Sequence, residues 1–390
     1  MKNFFFYYLL FTFLFSINVS FANHANEPFA FDRMHKYKIE KSENYHQFET
    51  YLENNLLSKK VEEQLKNRKQ TGLVSYLLYE DGKIKVDQKI KSKYINWYYP
   101  SHSIGKSLVS IVTGYALCDG YIDSVHSNIN YPTVKNTLYE NQKLLHLLNM
   151  TAGDELIVGQ KYFNKDNSIK GKGPNVNNIP IKQVMKRYFT GTKRNEISGW
   201  NTITGEVSSG LVYNYSAMTT NVIMNYVIYK TGDDWEKLLH KVFTEDAKVK
   251  NKVYFGKSLH TKDGNRKSGE YGRYSFYAQR DDYLRIGLMV MNHWNNDTCV
   301  GEYLKTMYKN RINKNRRKYN VNGAHAYTQS YGGQFHFDFV GLEDRKILAM
   351  DGFAGQQLII DFDKKKIISV ASTDNHYDWY EIVYNELNRK

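Results

Sequence analysis

Ser103-Ile104-Gly105-Lys106-Ser107-Leu108 opens an apolar stretch with helical spacing. Ile104, Leu108, Ile111 and Tyr115 recur at intervals of three and four, and Gly120 follows as a stop signal. On a helix, a serine and a lysine three residues apart share one face, about 5–6 Å apart at Cβ. A neutral lysine there can take the serine proton. Lysine ordinarily titrates near about 10.4, so that role needs burial or a neighbouring positive charge to lower it. The helix start adds unpaired N–H groups and a positive dipole end, and both stabilise an anion at the serine. Alone, Ser-x-x-Lys is a weak signal in a lysine-rich chain. The plain alternative is an N-capping serine beside a solvated lysine.

Two other stretches bear on this one. Tyr213-Asn214-Tyr215-Ser216 precedes an apolar helical run, Val222 to Tyr229, that ends at Gly232. A buried tyrosine hydroxyl beside a lysine can act as a general base or relay a proton to a leaving group. The alternative is one aromatic among 33 tyrosines. Asp351-Gly352-Phe353-Ala354-Gly355-Gln356 lies between two strand-like runs. Glycines let a strand approach a ligand closely, and the Phe353 N–H beside the Ser103 N–H would form an oxyanion hole. The alternative is an ordinary hairpin turn.

The rest of the chain supplies the frame. Residues 42–68 carry spaced apolar positions (Phe48, Leu52, Leu56, Val61, Leu65) that predict an amphipathic helix. Gly72 to Tyr79 and Lys83 to Val86 flank Asp81-Gly82 and predict a β-hairpin. From about 100 to 312 the pattern is mostly helical: Leu144 to Leu148, Ile181 to Phe189, Trp235 to Phe243, Asp281 to Trp294 and Val300 to Ile312. Strands return at Tyr331 to Phe339, Lys346 to Met350, Gln357 to Phe362 and Lys366 to Ser372, before a closing helix, Tyr377 to Leu387. The simplest packing is an α+β sandwich. An antiparallel sheet built from both chain ends (about 40–98 and 325–390) is flanked by terminal helices, with a mainly helical part (about 99–324) inserted.

Met1-Lys2-Asn3, the apolar run Phe4 to Phe15 and Ser20-Phe21-Ala22 read as a signal peptide over residues 1–22, the remainder (23–390) being one domain. An uncleaved anchor is the alternative; Ser16, Asn18 and Ser20 weaken it. An exported, periplasmic protein is therefore expected. The 54 Lys and Arg outnumber the 40 Asp and Glu, for a net charge of +14. They are spread along the chain with no nucleic-acid motif, so a solvated basic surface drawn to the anionic envelope is expected, not a nucleic-acid partner. Cys118 and Cys299 are the only cysteines, and two positions alone do not show whether they pair. The 12 histidines are scattered without His-Glu-x-x-His, so no metal and no cofactor is expected. Nor is there a Gly-x-Ser-x-Gly elbow. His102 reads as structural or exposed, and Asp281 and Asp282 as charges complementing a helix dipole.

Taken together, the three stretches resemble the serine β-lactamase and penicillin-binding-protein superfamily. The nearest likeness is to its β-lactamase-related esterases, peptidases and amidases, including 6-aminohexanoate-dimer hydrolase. Gly120-Tyr121-Ile122-Asp123, Leu147-Leu148-Asn149-Met150-Thr151-Ala152-Gly153 and Arg280-Asp281-Asp282-Tyr283-Leu284-Arg285-Ile286-Gly287 resemble further stretches of that family, so the likeness spans about 70–375. It implies a β-lactamase/transpeptidase-like fold and an ester, amide or peptide substrate. Ser103 would be the acylated nucleophile and Lys106 its partner. Tyr215, rather than Tyr213, would be the tyrosine, because Ser216 follows it. The N–H groups of Ser103 and Phe353 would form the oxyanion hole. Whether Lys106 or Tyr215 first takes the proton stays open. Ala217 stands where many members carry Asn, and Met350-Asp351-Gly352 where lactamases carry Lys-Thr-Gly, so the lysine that recognises an antibiotic carboxylate is missing. Asp351 would repel an anionic substrate. The alternatives are a penicillin-binding carboxypeptidase, endopeptidase or β-lactamase, and a catalytically silent envelope scaffold with the same fold.

Overall fold

Leu73–Glu80 (β3) and Lys83–Lys89 (β4) form the expected hairpin, with Asp81 and Gly82 both at positive φ, as a two-residue turn between twisted strands requires. On its other edge β3 pairs with Lys366–Ser372 (β15), which joins the two chain ends. The sheet continues through Gln356–Asp361 (β14), Ile347–Gly352 (β13), Phe335–Phe339 (β12), Thr328–Gly332 (β11) and Ile312–Asn313 (β10). Beyond β4 lies Glu49–Thr50 (β2), giving nine strands in the order β10-β11-β12-β13-β14-β15-β3-β4-β2. Neighbours are antiparallel except β2, which runs parallel to β4. This is a computed structural model, and the residues it describes are 35–90, 97–134, 139–152, 156–159, 200–203, 213–258, 271–314 and 323–389. They belong to one compact unit, His35–Lys390. The expected signal peptide (1–22) and the helix expected at 181–189 lie outside the described residues.

The central strands are apolar throughout because both faces are covered. Leu348, Met350, Leu358, Ile360 and Ile367 pack on one side, against the helices of the middle of the chain. Ile347, Ala349, Ile359 and Ile368 pack on the other, against Leu57, Val61, Trp379, Ile382 and Leu387 from the terminal segments. The first helix, Leu56–Lys66 (α1), is shorter than the sequence pattern suggested: Asn55 starts it with a capping box to Ser58, and residues 42–54 hold a turn and the short strand β2 instead of helix. Leu52, counted in that pattern, is 63% exposed. A short helix, Arg68–Thr71 (α2), precedes β3. The closing segment is π-helical over Tyr380–Tyr384 and α-helical over Asn385–Asn388.

The middle of the chain needs a correction. It holds Ile104–Cys118 (α3), Leu144–Leu148 (α4), Ala217–Thr231 (α5), Trp235–His240 (α6), Arg280–Asn295 (α7) and Cys299–Lys309 (α8). It also supplies Tyr99–Pro100 (β5), Val253–Ser258 (β8) and Tyr271–Ala278 (β9) to a second antiparallel sheet, which Lys36–Ile39 (β1) from near the start of the chain completes in the order β1-β8-β9-β5. Leu156–Gly159 (β6) pairs with Trp200–Ile203 (β7). The signal for β8 and β9 was their aromatic content, Phe255, Tyr271, Phe276 and Tyr277, which favours strands. Two boundaries also move: α8 stops at Lys309, and the run 331–339 splits at Gly333 and Gln334, both at positive φ. Among the described residues no helix is long and apolar enough to cross a membrane.

Helix α3 is buried on all sides, from Ile104 to Ala116. At its end Cys118 forms a disulfide with Cys299, the first residue of α8, 181 positions away. A cross-link over so long a loop restricts the unfolded chain strongly. Replacing both cysteines by serine should lower unfolding free energy by about 2–5 kcal/mol, read from denaturant melts with and without reductant. Coincident melts of the double variant and the oxidised parent would show that the cross-link carries no stability.

Candidate active site

Ser103 sits at the start of α3, and its side chain makes no cap hydrogen bond. The turn before it is tied to β9: Ser101 N–H donates to Phe276 O (2.7 Å), and Phe276 N–H donates to Ser101 Oγ (3.0 Å). His102 takes a left-handed φ of 46° between the two serines, a conformation a tight turn can impose at some cost in strain. The first helical turn lies directly on the β9 backbone. A Cβ on Gly105 would come 2.0 Å from the Tyr274 carbonyl oxygen, so only glycine allows this approach. Burial, together with the Lys106 charge, pushes His102 down to about 4, so its imidazole is neutral at pH 7.

Lys106 is not the solvated lysine of the plain alternative. It is 2% exposed, and its Nζ donates to Ser103 Oγ at 3.1 Å. The same Nζ lies 4.0 Å from the ring centroid of Tyr274 and 4.9 Å from that of Tyr215. Among the described residues no carboxylate forms an ion pair with it. A desolvated ammonium over an aromatic face gains about 2 kcal/mol. Burial works to lower this lysine, but the charges and hydrogen bonds of Tyr215 and Tyr274 outweigh it and hold Lys106 above its ordinary value. This corrects the expectation that Lys106 must be lowered: the resting side chain is an ammonium.

Of the two candidate tyrosines, Tyr215 is the one whose ring faces Lys106; Tyr213 packs with Met150 and Tyr331. The Leu147–Ala152 stretch explains the placement. After α4 the chain turns at Met150 (φ 57°), whose carbonyl accepts from Asn214 N–H (2.7 Å) and whose sulfur accepts from Ser216 N–H (3.3 Å). Ser216 then caps α5, accepting from Thr219 N–H (3.3 Å). Burial raises the Tyr215 phenol, against opposing effects of the Lys106 charge and a hydrogen bond with Ser103. Both members of the pair are therefore protonated at neutral pH.

The end of β13 closes the site. A Cβ on Gly352 would lie 2.6 Å from Ser101 O, so this glycine lets the strand meet the turn ahead of Ser103 backbone to backbone. The next residue, Phe353, is 72% exposed, with its ring edge-to-face against His102 at 5.5 Å. Met350 is fully buried on the α3 side and contributes no charge. Asp351 turns its carboxylate inward: Oδ2 accepts from His325 N–H at 2.5 Å and Oδ1 from Gln357 Nε2 at 2.8 Å. Burial raises it to about 6. Ala217 is the first residue of α5 and offers no polar group.

The sequence reading missed several groups. Tyr274 has no motif around it; only the fold of β9 onto α3 brings it to Lys106. Gln334 is a buried junction: its carbonyl accepts from Ser107 Oγ (2.6 Å), its side-chain oxygen from Thr220 Oγ1 (2.7 Å), and its Nε2 donates to Leu147 O and Leu148 O (3.0 Å each). It therefore ties α3, α4 and α5 together behind the site. Asp282 is more than a helix-dipole charge. It is fully buried, accepts from Lys250 N–H (2.7 Å) and Asn251 N–H (3.2 Å), and pairs with Arg285 (3.1 Å). Among the described residues no cluster of metal-ligating side chains occurs.

Comparison with solved structures places this architecture. A protein from Bacillus anthracis assigned as a 6-aminohexanoate-dimer hydrolase superposes with a TM-score of 0.63 at 13% identity, covering 95% of each chain. A protein from Bacteroides dorei assigned as a β-lactamase gives 0.56 at 13% identity, over 85% of this chain and 98% of the other. FmtA from Staphylococcus aureus gives 0.53 at 13% identity, over 90% and 93%. The chain has the fold of the serine β-lactamase and penicillin-binding-protein superfamily. No family model and no curated protein matches the sequence itself.

The Asp351 carboxyl yields a stability test. Its folded value lies above that of an ordinary aspartate, so the fold favours the neutral form. The cost of ionisation appears as pH rises through the ordinary value and is complete above about 6. Asparagine keeps an acceptor for the His325 N–H and cannot ionise. Asp351→Asn should therefore match the parent near pH 4 and be more stable at pH 8, by about 3 kcal/mol at most. Denaturant melts at the two pH values decide it. Equal destabilisation at both would show that the carboxylate is wanted in its charged form.

Proposed function

We propose that the chain is an exported serine hydrolase that cleaves an ester or amide through an acyl-enzyme on Ser103, with Lys106 and Tyr215 as its acid–base pair. The observation that carries this reading is the Lys106 ammonium, buried against Ser103 Oγ and facing the Tyr215 ring. Ser103 makes no cap bond, and among the described residues no carboxylate pairs with Lys106.

The chemistry follows from the protonation states. Both Lys106 and Tyr215 are held protonated, so the reactive form is the pair less one proton, and the two titrate together. That form takes the proton from Ser103 as Oγ bonds to the substrate carbonyl. The carbonyl oxygen becomes negative and meets the N–H groups of Ser103 and Phe353. The pair then returns the proton to the departing alcohol or amine, and water repeats the sequence on the acyl-enzyme. Buried, uncharged Met350 and the inward-turned Asp351 offer no partner for a substrate carboxylate, which favours a neutral acyl group over a penicillin. The fold neighbours named as 6-aminohexanoate-dimer hydrolase and as EstCE1, a hydrolase with promiscuous acyltransferase activity, support hydrolysis through acyl transfer. The Cys118–Cys299 disulfide suits an oxidising compartment and so supports export. The net charge of +14 supports peripheral contact with an anionic envelope.

A fluorophosphonate probe should label one serine in the parent and none in Ser103→Ala; equal labelling of both removes the mechanism. Lys106→Ala and Tyr215→Phe should each slow p-nitrophenyl ester hydrolysis by about 10²-fold or more, and normal rates in both would reject their roles. Because both groups are held protonated, kcat/KM should climb from pH 7 towards about pH 9. A profile already flat at pH 7 would mean that the pair is deprotonated at rest.

A further inference from the structure

The acid–base pair leaves one neighbour unused. The Tyr274 ring lies closer to Lys106 Nζ than the Tyr215 ring does, 4.0 Å against 4.9 Å. Its position is set from two sides. On one, Tyr274 N–H donates to Asn221 Oδ1 of α5 (3.3 Å), and Asn225 of the same helix clamps Gly272, accepting from its N–H and donating to its carbonyl at 2.9 Å each. On the other, the Tyr274 carbonyl rests on Gly105, one residue before Lys106. Helix α5 begins directly after Tyr215 and Ser216, so the same helix places both phenols. Lys106 is thus held by the Ser103 hydroxyl, by the ring faces of Tyr215 and Tyr274 and by the hydrogen bonds of their phenols, with no carboxylate paired to it among the described residues.

We propose that Tyr274 is a positioning residue whose ring face keeps the one remaining proton of the reactive pair on Lys106, so that the Tyr215 phenolate takes the proton from Ser103. This rests on the hydrolase reading above. A pair that has lost one proton has two forms, ammonium with phenolate or amine with phenol. An aromatic face attracts the ammonium and not the amine, and Tyr274 therefore favours the first form. In acylation the Ser103 O–H bond breaks, its proton passes to the Tyr215 oxygen, and the Oγ–carbonyl carbon bond forms. As the tetrahedral species collapses, Tyr215 gives that proton to the leaving group. Lys106 keeps its charge throughout.

The other ionisable groups facing the pair are common to every variant compared. His102, ahead of α3, is neutral above about 4. Asp351 on β13 acts on Tyr215 through its charge and ionises at about 6, below the alkaline limb. The His325 and Tyr331 rings pack on Tyr215, His336 packs on both of those rings, and Lys314 lies towards Asp351.

The test is the pH dependence of kcat/KM for a p-nitrophenyl ester in the full chain, with Tyr274 replaced by Phe, by Leu, and by mono- and trifluorinated phenylalanines of nearly equal shape. The Phe variant keeps the ring face and loses the hydrogen bond of the hydroxyl, so its limb should move to lower pH by less than that of the trifluorinated variant. The Leu variant should move the limb to lower pH by about one unit and lose about tenfold or more in plateau rate, as the proton shifts to Tyr215. Fluorination, which weakens the ring face, should give a graded shift in the same direction; if the Leu variant does not fold, this series decides alone. Profiles that coincide across the fluorinated series would overturn the proposal, as would a Phe variant displaced as far as the trifluorinated one. Fluorophosphonate labelling separates the two levels. Labelled Ser103 with coincident profiles removes the role of Tyr274 only, whereas an unlabelled parent removes the hydrolase itself.

Discussion

Holding an ammonium in the interior is costly, by several kcal/mol even after relaxation, and Lys106 sits at the centre of this molecule without a counter-carboxylate among the described residues. The surrounding structure supplies what water would have given: a hydroxyl from Ser103 on one side and the ring faces and phenol hydrogen bonds of Tyr215 and Tyr274 on the others. Each comes from a different element. Ser103 belongs to the start of α3, Tyr215 to the segment before α5, and Tyr274 to β9. Their convergence depends on close backbone packing at Gly105, where α3 meets β9, and at Gly352, where β13 meets the turn ahead of Ser103.

Behind these contacts lies a polar scaffold that carries no chemistry. Gln334 joins three helices through buried hydrogen bonds, and Asn149 spans from Gly333 N–H (3.0 Å) to Asn310 O (2.7 Å). Such networks rigidify when fully satisfied. The disulfide fixes the far end of α3, so this helix is held at both termini.

Much of this was legible in the chain because local physics and tertiary packing agree there. The hairpin around Asp81-Gly82, the buried strands from 347 to 372 and the periodic helix from Ile104 each carry a pattern that only one element satisfies. Boundaries were less legible. Residues 42–54 read as helix because apolar positions happened to fall at helical intervals, while Asn55 set the true start by capping. The β8–β9 pair was missed because its aromatic residues sit in a chain rich in tyrosine, where composition masks the strand signal.

By itself the sequence determined the fold class, the Ser-x-x-Lys pair and the tyrosine candidates, since these rest on residue type and short-range spacing. Only the tertiary structure decided that Tyr215 and not Tyr213 faces the lysine, that Tyr274 joins it, that Asp351 points inward and that Cys118 meets Cys299. The physical reason is range. Helical and strand periodicity act over a few residues, whereas the charge on Lys106 is set by rings more than 100 positions away in the chain, and contacts of that span leave no local trace in the sequence.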